Sequence, residues 1–317
     1  MENPIVAAMQ TKTLKSDLLL LVAAFIWGTT FVAQREGMIY VGPMTYNAVR
    51  FALGAATLVP VILMFRTGRD ASGQSPSVRF LLYGGGLAGL ALFGGASMQQ
   101  IGLLYTTVGK ASFITSLYVV LVPVAGLFLR QRCGLSVWAG AVLAVAGLYL
   151  LTITESFTIS RGDLLIFIGA FFWTVHVYLI AYFAKRANPL CIACLQFVAC
   201  SVLSLLAAVL FEPIALPAIR AATIPILYGG VLSAGVAFTL QVVCQRTSPP
   251  SHAAIVMSLE TVFAALAGYV MLHERFGPRD FAGCGLMFAG LMVVQLPLLL
   301  GSPINHPPGL DTNSKQP

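Results

Sequence analysis

Three ionisable side chains lie inside long apolar stretches of this chain, where a charge is costly. Glu260 lies within SLETVFAALAGYVML, His176 within FFWTVHVYLIAYF and Arg50 within NAVRFALGAATLV. An acidic side chain near the centre of a bilayer costs about 2.5–3.5 kcal/mol on insertion scales. We therefore expect each of these groups to face a hydrated cavity, a partner or the membrane interface.

Each of the three side chains has a functional and a structural interpretation. Glu260 could exchange a proton or recognise a cationic group, or it could make a structural hydrogen bond. His176 could carry a proton, since a hydrated imidazole titrates near neutral pH, or it could make an interhelical hydrogen bond. Arg50 could bind a carboxylate of a solute, or its long side chain could reach the outer interface.

Aromatic and amide side chains form a second group of candidates. Trp27 and Trp173 could line a cavity and stack on a ring or a cation, or they could pack between helices. Lipid offers no hydrogen-bond partner, so some polar side chains within the apolar stretches must face a cavity. The sequence leaves open which of them do so; the candidates are Tyr83, Tyr118, Tyr228, Gln99, Gln100, Gln241 and Gln245.

The composition excludes an ordinary soluble domain. The chain is 58% hydrophobic and 9% charged, with a mean hydropathy of +0.88. The glycine-rich segment that begins at Gly84 lacks the Lys-Ser/Thr ending of a phosphate-binding loop. The cysteines at 191 and 194 have no His or further CxxC nearby. We therefore expect no cofactor, no metal and no enzymatic activity.

Apolar runs recur along the chain and are long enough to cross a bilayer core of about 30 Å as helices. Helices are required because the backbone finds no water partner in lipid. We predict an all-α integral membrane protein with ten transmembrane helices. Their predicted bounds are 17–33, 45–65, 80–105, 111–129, 135–153, 163–183, 190–211, 219–243, 253–272 and 281–300.

The chain repeats itself. Residues 17–27 (DLLLLVAAFIW) match residues 163–173 (DLLIFIGAFFW), and WAGAVLAVAGL from Trp138 matches FAGCGLMFAGL from Phe281. We predict a cytoplasmic tail at 1–16, five-helix repeats at 17–155 and 156–300, and a disordered tail at 301–317. Five is an odd number, so the two repeats must be inverted relative to each other, with a site between them.

Positive charges predict the orientation. With the N-terminus inside, eleven Lys and Arg residues fall on the inner side and six on the outer side, and Arg50 remains within the membrane. This bias places both termini in the cytoplasm. The net charge of +7 is spread over many loops, so it gives no reason to expect nucleic acid as a partner.

Several segments together resemble the EamA-type proteins of the drug/metabolite transporter superfamily. They are AAFIWGTTFV at 23–32, KASFITSLYVVLVPVAGLFL at 110–129 and SLETVFAALAGYVMLHERFG at 258–277. The chain departs from the family pattern at two places: Thr261 replaces a proline and His273 replaces a glycine.

The resemblance implies a carrier of the bacterial inner (plasma) membrane, often an exporter of amino acids, metabolites or drugs. It implies a cavity built by the first, third, fourth, sixth, eighth and ninth helices, with the fifth and tenth at the periphery. The expected partners are a small-molecule substrate, the lipid bilayer, protons for coupling and a second copy in a homodimer. An intramembrane enzyme or a lipid-handling protein that uses Glu260 and His176 remains the alternative.

Overall fold

Long helices make up the protein. A computed structural model describes residues 4–64, 77–131, 133–152, 160–271 and 277–299. A short helix, Leu216–Ala221, precedes α8. We number the long helical segments α1 Pro4–Gly37, α2 Pro43–Met64, α3 Val78–Gly102, α4 Val108–Phe128, α5 Leu135–Thr152, α6 Arg161–Phe183, α7 Pro189–Phe211, α8 Thr223–Cys244, α9 Pro250–Met271 and α10 Pro278–Leu299.

Nine of these segments, in the part of the chain that the structure describes, are long and apolar enough to cross a membrane. The exception is α5, whose apolar stretch Leu135–Leu150 is shorter. At 1.5 Å per residue it spans about 24 Å, against a hydrocarbon core of about 30 Å. The protein is therefore a multi-pass, all-helical membrane protein, and the prediction of a tenth complete span stays a prediction.

The structure describes most of the predicted N-terminal tail but none of the predicted C-terminal tail. The apolar part of α1 begins at Leu14, but the helix continues back to Pro4 through most of the predicted N-terminal tail. The predicted C-terminal tail at 301–317 and the predicted boundary between residues 155 and 156 lie outside the described residues.

Side-chain caps and prolines set where several helices begin. Ser160 and Asp163 form a reciprocal capping box at the start of α6, which satisfies backbone N–H groups that lack helical partners. Pro43 begins α2 and Pro189 begins α7, where the missing N–H of proline is harmless. The equivalent helices of the two repeats thus begin with the same residue.

The equivalent helices α2 and α7 run antiparallel against each other. The hydroxyl of Ser201 donates to the Ala48 carbonyl at 2.8 Å, and the thiol of Cys194 lies 3.9 Å from the Ala55 carbonyl. The later residue of α2 therefore meets the earlier residue of α7. Two equivalent helices can run in opposite directions only if one repeat is inverted, as the sequence predicts.

Helices α5 and α10 make the second antiparallel pair, and glycines bring their backbones together. A Cβ on Gly140 would lie 2.8 Å from the Gly290 carbonyl, and one on Gly147 would lie 2.5 Å from the Gly283 carbonyl. Small residues permit such close approach between membrane helices. The fifth and tenth helices thus hold the two repeats together at the edge of the bundle.

The other contacts come in pairs in which the repeats exchange places. Helix α1 packs on α8 and α9, and its counterpart α6 packs on α3 and α4. Likewise α2 packs on α8, and α7 packs on α3. This pattern is that of a pseudo-twofold axis that passes between α2 and α7 and between α5 and α10. Each repeat therefore completes its packing only against the other.

Three of the central helices depart from regular α-helix. The α-helical run of α4 stops at Ser116 and restarts at Tyr118, and that of α9 stops at Met257 and restarts at Glu260. Within α8, Tyr228–Phe238 forms a π-helix. Wide turns of this kind often mark functional sites. All three irregular stretches lie near the middle of the bundle.

Gly147→Ala is expected to destabilise the protein by about 1–3 kcal/mol, because the added methyl overpacks the α5–α10 contact. Gly285→Ala is the matched control, since a Cβ at Gly285 on α10 meets open space. Thermal unfolding of the detergent-purified protein measures both. Equal melting temperatures for the two variants would contradict the close backbone packing described above.

Candidate functional site

A central cavity lies between the two repeats. It has about 520 Å³ of space that no atom fills, which includes space open to solvent. Helices α1, α2, α3, α4, α6, α8 and α9 line it, which is the set expected from the resemblance with α2 added. The lining residues are Trp27, Phe31, Gln34, Arg50, Gln99, Thr115, Tyr118, Trp173, Val177, Ser233, Phe238, Gln241, Met257 and Glu260.

Three aromatic rings pack together in the apolar part of the cavity wall. Phe238 packs between the two tryptophans, with ring centroids 4.8 Å from Trp27 and 5.8 Å from Trp173. The indole N–H groups of Trp27 and Trp173 have no hydrogen-bond partner among the described residues. The wall therefore offers ring faces for an apolar body.

Glu260 lies in the cavity wall where the two broken helices meet. The hydroxyl of Ser116, at the end of the first half of α4, donates to the carboxyl of Glu260 at 3.3 Å. The hydroxyls of Ser116 and Thr261 are 2.7 Å apart, and Thr261 donates to the Ser112 carbonyl at 3.1 Å. Tyr118 lies close enough to interact with Glu260 as well. The interruptions of α4 and α9 thus bring four polar side chains together.

Helix α1 passes directly against this cluster. A Cβ on Gly28 would lie 2.5 Å from the Glu260 carbonyl and 2.6 Å from Cβ of Phe263. The absence of a side chain at Gly28 lets α1 approach the break in α9 and brings Trp27 beside Glu260 in the wall. The glycine in the AAFIWGTTFV segment therefore has a packing role at the site.

An amide and hydroxyl chain bounds another part of the cavity. Gln99 on α3 donates to the side chain of Gln34 on α1 at 3.1 Å, and Thr115 on α4 donates to Gln99 at 3.5 Å. All three side chains are buried. They join α1, α3 and α4 near the C-terminal end of α1.

The opposite end of α1 is tied to α9. The ring Nε2 of His252 lies 2.8 Å from the carboxylate of Asp17, and the hydroxyls of Ser16 and Ser248 are 3.0 Å apart. In the other repeat, Asp163 at the start of α6 accepts a hydrogen bond from Thr106, next to the start of α4. Equivalent positions of the two repeats thus make different contacts at opposite ends of the bundle. We call the Asp17–His252 pair and the Asp163–Thr106 hydrogen bond the two latches.

Arg50 lies inside the bundle and lines the cavity. Only 2% of its surface is exposed, so the interpretation that it reaches the outer interface does not hold. Its guanidinium lies over the ring of Phe51 at 4.6 Å and that of Tyr46 at 5.4 Å.

His176 lies behind the wall and does not line the cavity. It is fully buried, and its Nε2 lies 2.8 Å from the side-chain oxygen of Gln196 on α7. Its ring packs edge-on against Trp173 at 5.9 Å. This is the interhelical hydrogen bond that the sequence left open as an alternative, and it holds Trp173 in place.

Four further candidates also lie away from the cavity lining. Tyr83 is 63% exposed and packs edge-on against Phe183. The hydroxyl of Tyr228 pairs with that of Thr29. The amide groups of Gln100 and Gln245 donate to the backbone carbonyls of Gln34 and Val177. Helix rotation, which the sequence does not show, turns these side chains to other partners.

Several lining and supporting residues carried no signal in the sequence. Phe238 and Ser233 lie in the π-helix, which no sequence pattern predicted. Gln34 and Thr115 resemble many other polar residues near helix ends. Gln99 and Gln241 were named as polar candidates and do line the cavity. Within the described residues, no group of three His, Cys, Asp or Glu side chains could hold a metal ion.

The two halves of the chain match one known family. Residues 14–153 and 160–296 each match the sequence profile of the EamA-like transporter family. An uncharacterized transporter of Archaeoglobus fulgidus is 31% identical over 286 residues, which cover 90% of this chain and 87% of that protein. The uncharacterized transporter YwfM of Bacillus subtilis is 26% identical and covers 88% and 93%.

A solved crystal structure has a similar fold. It superposes with a TM-score of 0.74 over 90% of this chain and 98% of that chain, at 21% sequence identity. Identity at this level shows the fold alone.

Replacing His176 and Gln196 by Leu, singly and together, tests the pair behind Trp173. Each single variant leaves a buried polar group unpaired, which costs about 1–3 kcal/mol, and the double variant removes both. We expect the double variant to lose less than the sum of the singles, by about 0.5–1.5 kcal/mol, in denaturant unfolding. Additive losses would show that the hydrogen bond is absent.

Proposed function

Because the chain belongs to the EamA-like transporter family, we propose that it is a secondary transporter of a small organic solute. The solute class is that of amino acids, metabolites or drugs. The cavity between the repeats is the binding site, and alternating access moves the solute through it. The named relatives are themselves described as transporters, which supports this proposal.

The observation that carries the proposal is the placement of the cavity. Side chains from both inverted repeats line it, and it lies beside the interruptions of α4 and α9. In inverted-repeat transporters, sites lie at the repeat interface and are formed by discontinuous helices.

Counting protons in the cluster around Glu260 supports proton coupling. The oxygens of Glu260, Ser116, Thr261 and the Ser112 carbonyl are joined by three hydrogen bonds. Each hydroxyl supplies one proton, so the two hydroxyls can supply only two. With Ser116 donating to Glu260, the one proton of Thr261 can serve either the Ser116 hydroxyl or the Ser112 carbonyl. A protonated Glu260 that donated to Ser116 instead would allow all three bonds at once.

Loss of that proton has a structural consequence. An ionised Glu260 would accept from Ser116, and Thr261 would then have to choose between Ser116 and the Ser112 carbonyl. One of the bonds that close α4 on α9 is lost. In our proposal, proton release at Glu260 loosens this contact between the repeats, and proton binding restores it, which couples proton movement to the conformational change.

The latches at the two ends of α1 and α6 support alternating access. One latch ties α1 to α9, and its counterpart ties α6 to the segment that precedes α4. Exchange of conformation between inverted repeats would open one end while closing the other. The paired antiparallel helices α2–α7 and α5–α10 provide the axis for this exchange.

The proposal includes the membrane in which the protein lies, the direction of transport and the oligomeric state. We place the protein in the bacterial inner membrane with both termini in the cytoplasm, because positive residues are more numerous on that side. Export of the solute in exchange for protons, by a homodimer, completes the proposal. The alternative of an intramembrane enzyme or lipid-handling protein needs His176 with Glu260 in one site, and His176 is paired with Gln196 outside the cavity lining.

Glu260→Gln is expected to abolish proton-driven accumulation while solute exchange continues, since Gln keeps the shape of the side chain but cannot release a proton. A melting-temperature screen of amino acids, nucleosides, sugars and cationic drugs identifies a solute, because a ligand that binds the native state raises the melting temperature. Proteoliposomes with and without an imposed pH gradient then measure accumulation and counterflow.

The matched control is Glu36→Gln, because Glu36 is exposed at the far end of α1. It should behave as the wild type. Gradient-driven accumulation that survives in Glu260→Gln would remove Glu260 from the coupling step. Absence of counterflow in the wild-type protein for every solute that binds would contradict the transporter proposal itself.

A further inference from the structure

We propose that the cavity contains an oxyanion subsite at Arg50, so that the solute is an organic acid with a carboxylate or phosphate group. The proposal rests on the proposed transport function and specifies its substrate class. It is carried by the surroundings of Arg50 and by the difference between the two repeats at this position.

The guanidinium of Arg50 is buried without a counter-charge. It has no hydrogen bond or ion pair with any described residue, and its Nε is buried without a partner. The ion pair found among those residues, between Asp17 and His252, lies elsewhere. Glu260 lines the same cavity but is not within 4.0 Å of the guanidinium.

The protein fixes the position of this cation. The rings of Phe51 and Tyr46 lie beneath the guanidinium, and aromatic faces attract a cation without supplying a negative charge. The Tyr46 hydroxyl is occupied, since it donates to the Pro225 carbonyl at 2.9 Å. Gly229 leaves room for the side chain of Arg50, whose Cδ would lie 3.4 Å from a Cβ there.

The second repeat has a neutral side chain at this position, whose oxygen is paired and whose Nε2 has no partner among the described residues. Gln196 is the counterpart of Arg50, and it pairs with His176 on the neighbouring helix. The counterpart of His176 is Thr30, whose hydroxyl donates a hydrogen bond to the Ile26 carbonyl at 2.6 Å. The first repeat therefore has a charged group in place of a neutral one and no partner for it.

An anionic ligand would complete this arrangement. A buried charge is costly unless it is paired, and the planar guanidinium matches the two oxygens of a carboxylate or phosphate. The apolar body of such a solute would lie on the rings of Trp27, Phe238 and Trp173. Its far end would reach the polar cluster at Glu260, so that one molecule contacts both the anchor and the proton-binding group.

Matched acid and amide probes test the subsite in the purified full-length protein. We would titrate 3-phenylpropanoate and 3-phenylpropanamide, hexanoate and hexanamide, and inorganic phosphate. The readouts are the melting temperature and the fluorescence of Trp27 and Trp173 in a Trp138→Phe background. The variants are Arg50→Gln, which installs the residue of the second repeat, and Arg50→Lys.

The expected result is binding of the acids, with the amides at least tenfold weaker. Arg50→Gln should weaken the acids by roughly 10- to 100-fold, because a charge-assisted hydrogen bond is lost, and should leave the amides unchanged. Arg50→Lys should retain an intermediate preference. Arg186→Gln is the control, since this exposed arginine also stacks on a tyrosine, Tyr182, but lies outside the cavity.

Three outcomes would overturn the proposal. They are equal binding of acids and amides by the wild type, an acid preference that persists in Arg50→Gln, and no response to any acid up to its solubility limit. A lipid headgroup is the other source of an oxyanion; displacement of the acids by short-chain phosphatidylglycerol, dependent on Arg50, would assign the subsite to lipid and overturn the solute assignment.

Binding and transport are measured separately. Acid binding that depends on Arg50, together with no counterflow of the labelled acid in proteoliposomes, would retain the oxyanion subsite and contradict the transport function on which the solute assignment rests. Counterflow of a labelled acid that Arg50→Gln leaves unchanged would retain transport and overturn the subsite.

Discussion

Polar groups inside an apolar helix bundle have no water to bind, so each must find a partner in the protein or face a cavity. Many of the buried polar side chains in this protein bond between helices, as Thr261 does with Ser116, while others, such as Asn47 and Ser204, have no partner among the described residues. The groups left without partners around the central cavity then become informative. Arg50 and the two tryptophans, whose indole N–H groups have no partner among the described residues, lie in its wall.

The irregular helices explain how the cavity acquires its polar groups. A continuous α-helix would use all its backbone groups internally and present one face to its neighbours. The interruptions at Leu117 and at Ser258–Leu259 turn α4 and α9 toward each other, and Glu260 begins the second half of α9. The π-helix in α8 displaces Ser233 and Phe238 into the wall. Irregular backbone at this depth is tolerated because it lines a cavity within the protein.

The sequence predicted the architecture well because the repeat constrains it strongly. The matching segments indicated two related halves, and the odd number of predicted spans indicated their inversion, which the antiparallel contacts of α2 with α7 confirm. The glycines that bring α5 and α10 together lie in the second pair of matching segments. The predicted fifth span, 135–153, agrees with α5 as far as the structure describes it, to Thr152.

The sequence predicted the site less completely, for physical reasons. Periodicity does not fix helix rotation when apolar residues surround a helix, so Tyr83 and Gln245 could not be distinguished from Gln99 and Gln241. The interruption of α4 lies at Leu117 and not at Pro123, and no proline lies at the interruption of α9, Ser258–Leu259. Tertiary contacts such as Gly28 against Glu260 determine these geometries. The two latches also differ between the repeats. If the halves were identical, the two conformations that they exchange would be equal in free energy. Under the proposed alternating access, an imidazole–carboxylate pair at one end and a hydroxyl–carboxylate bond at the other would remove that degeneracy. Side chains that differ between the repeats would then select the resting state.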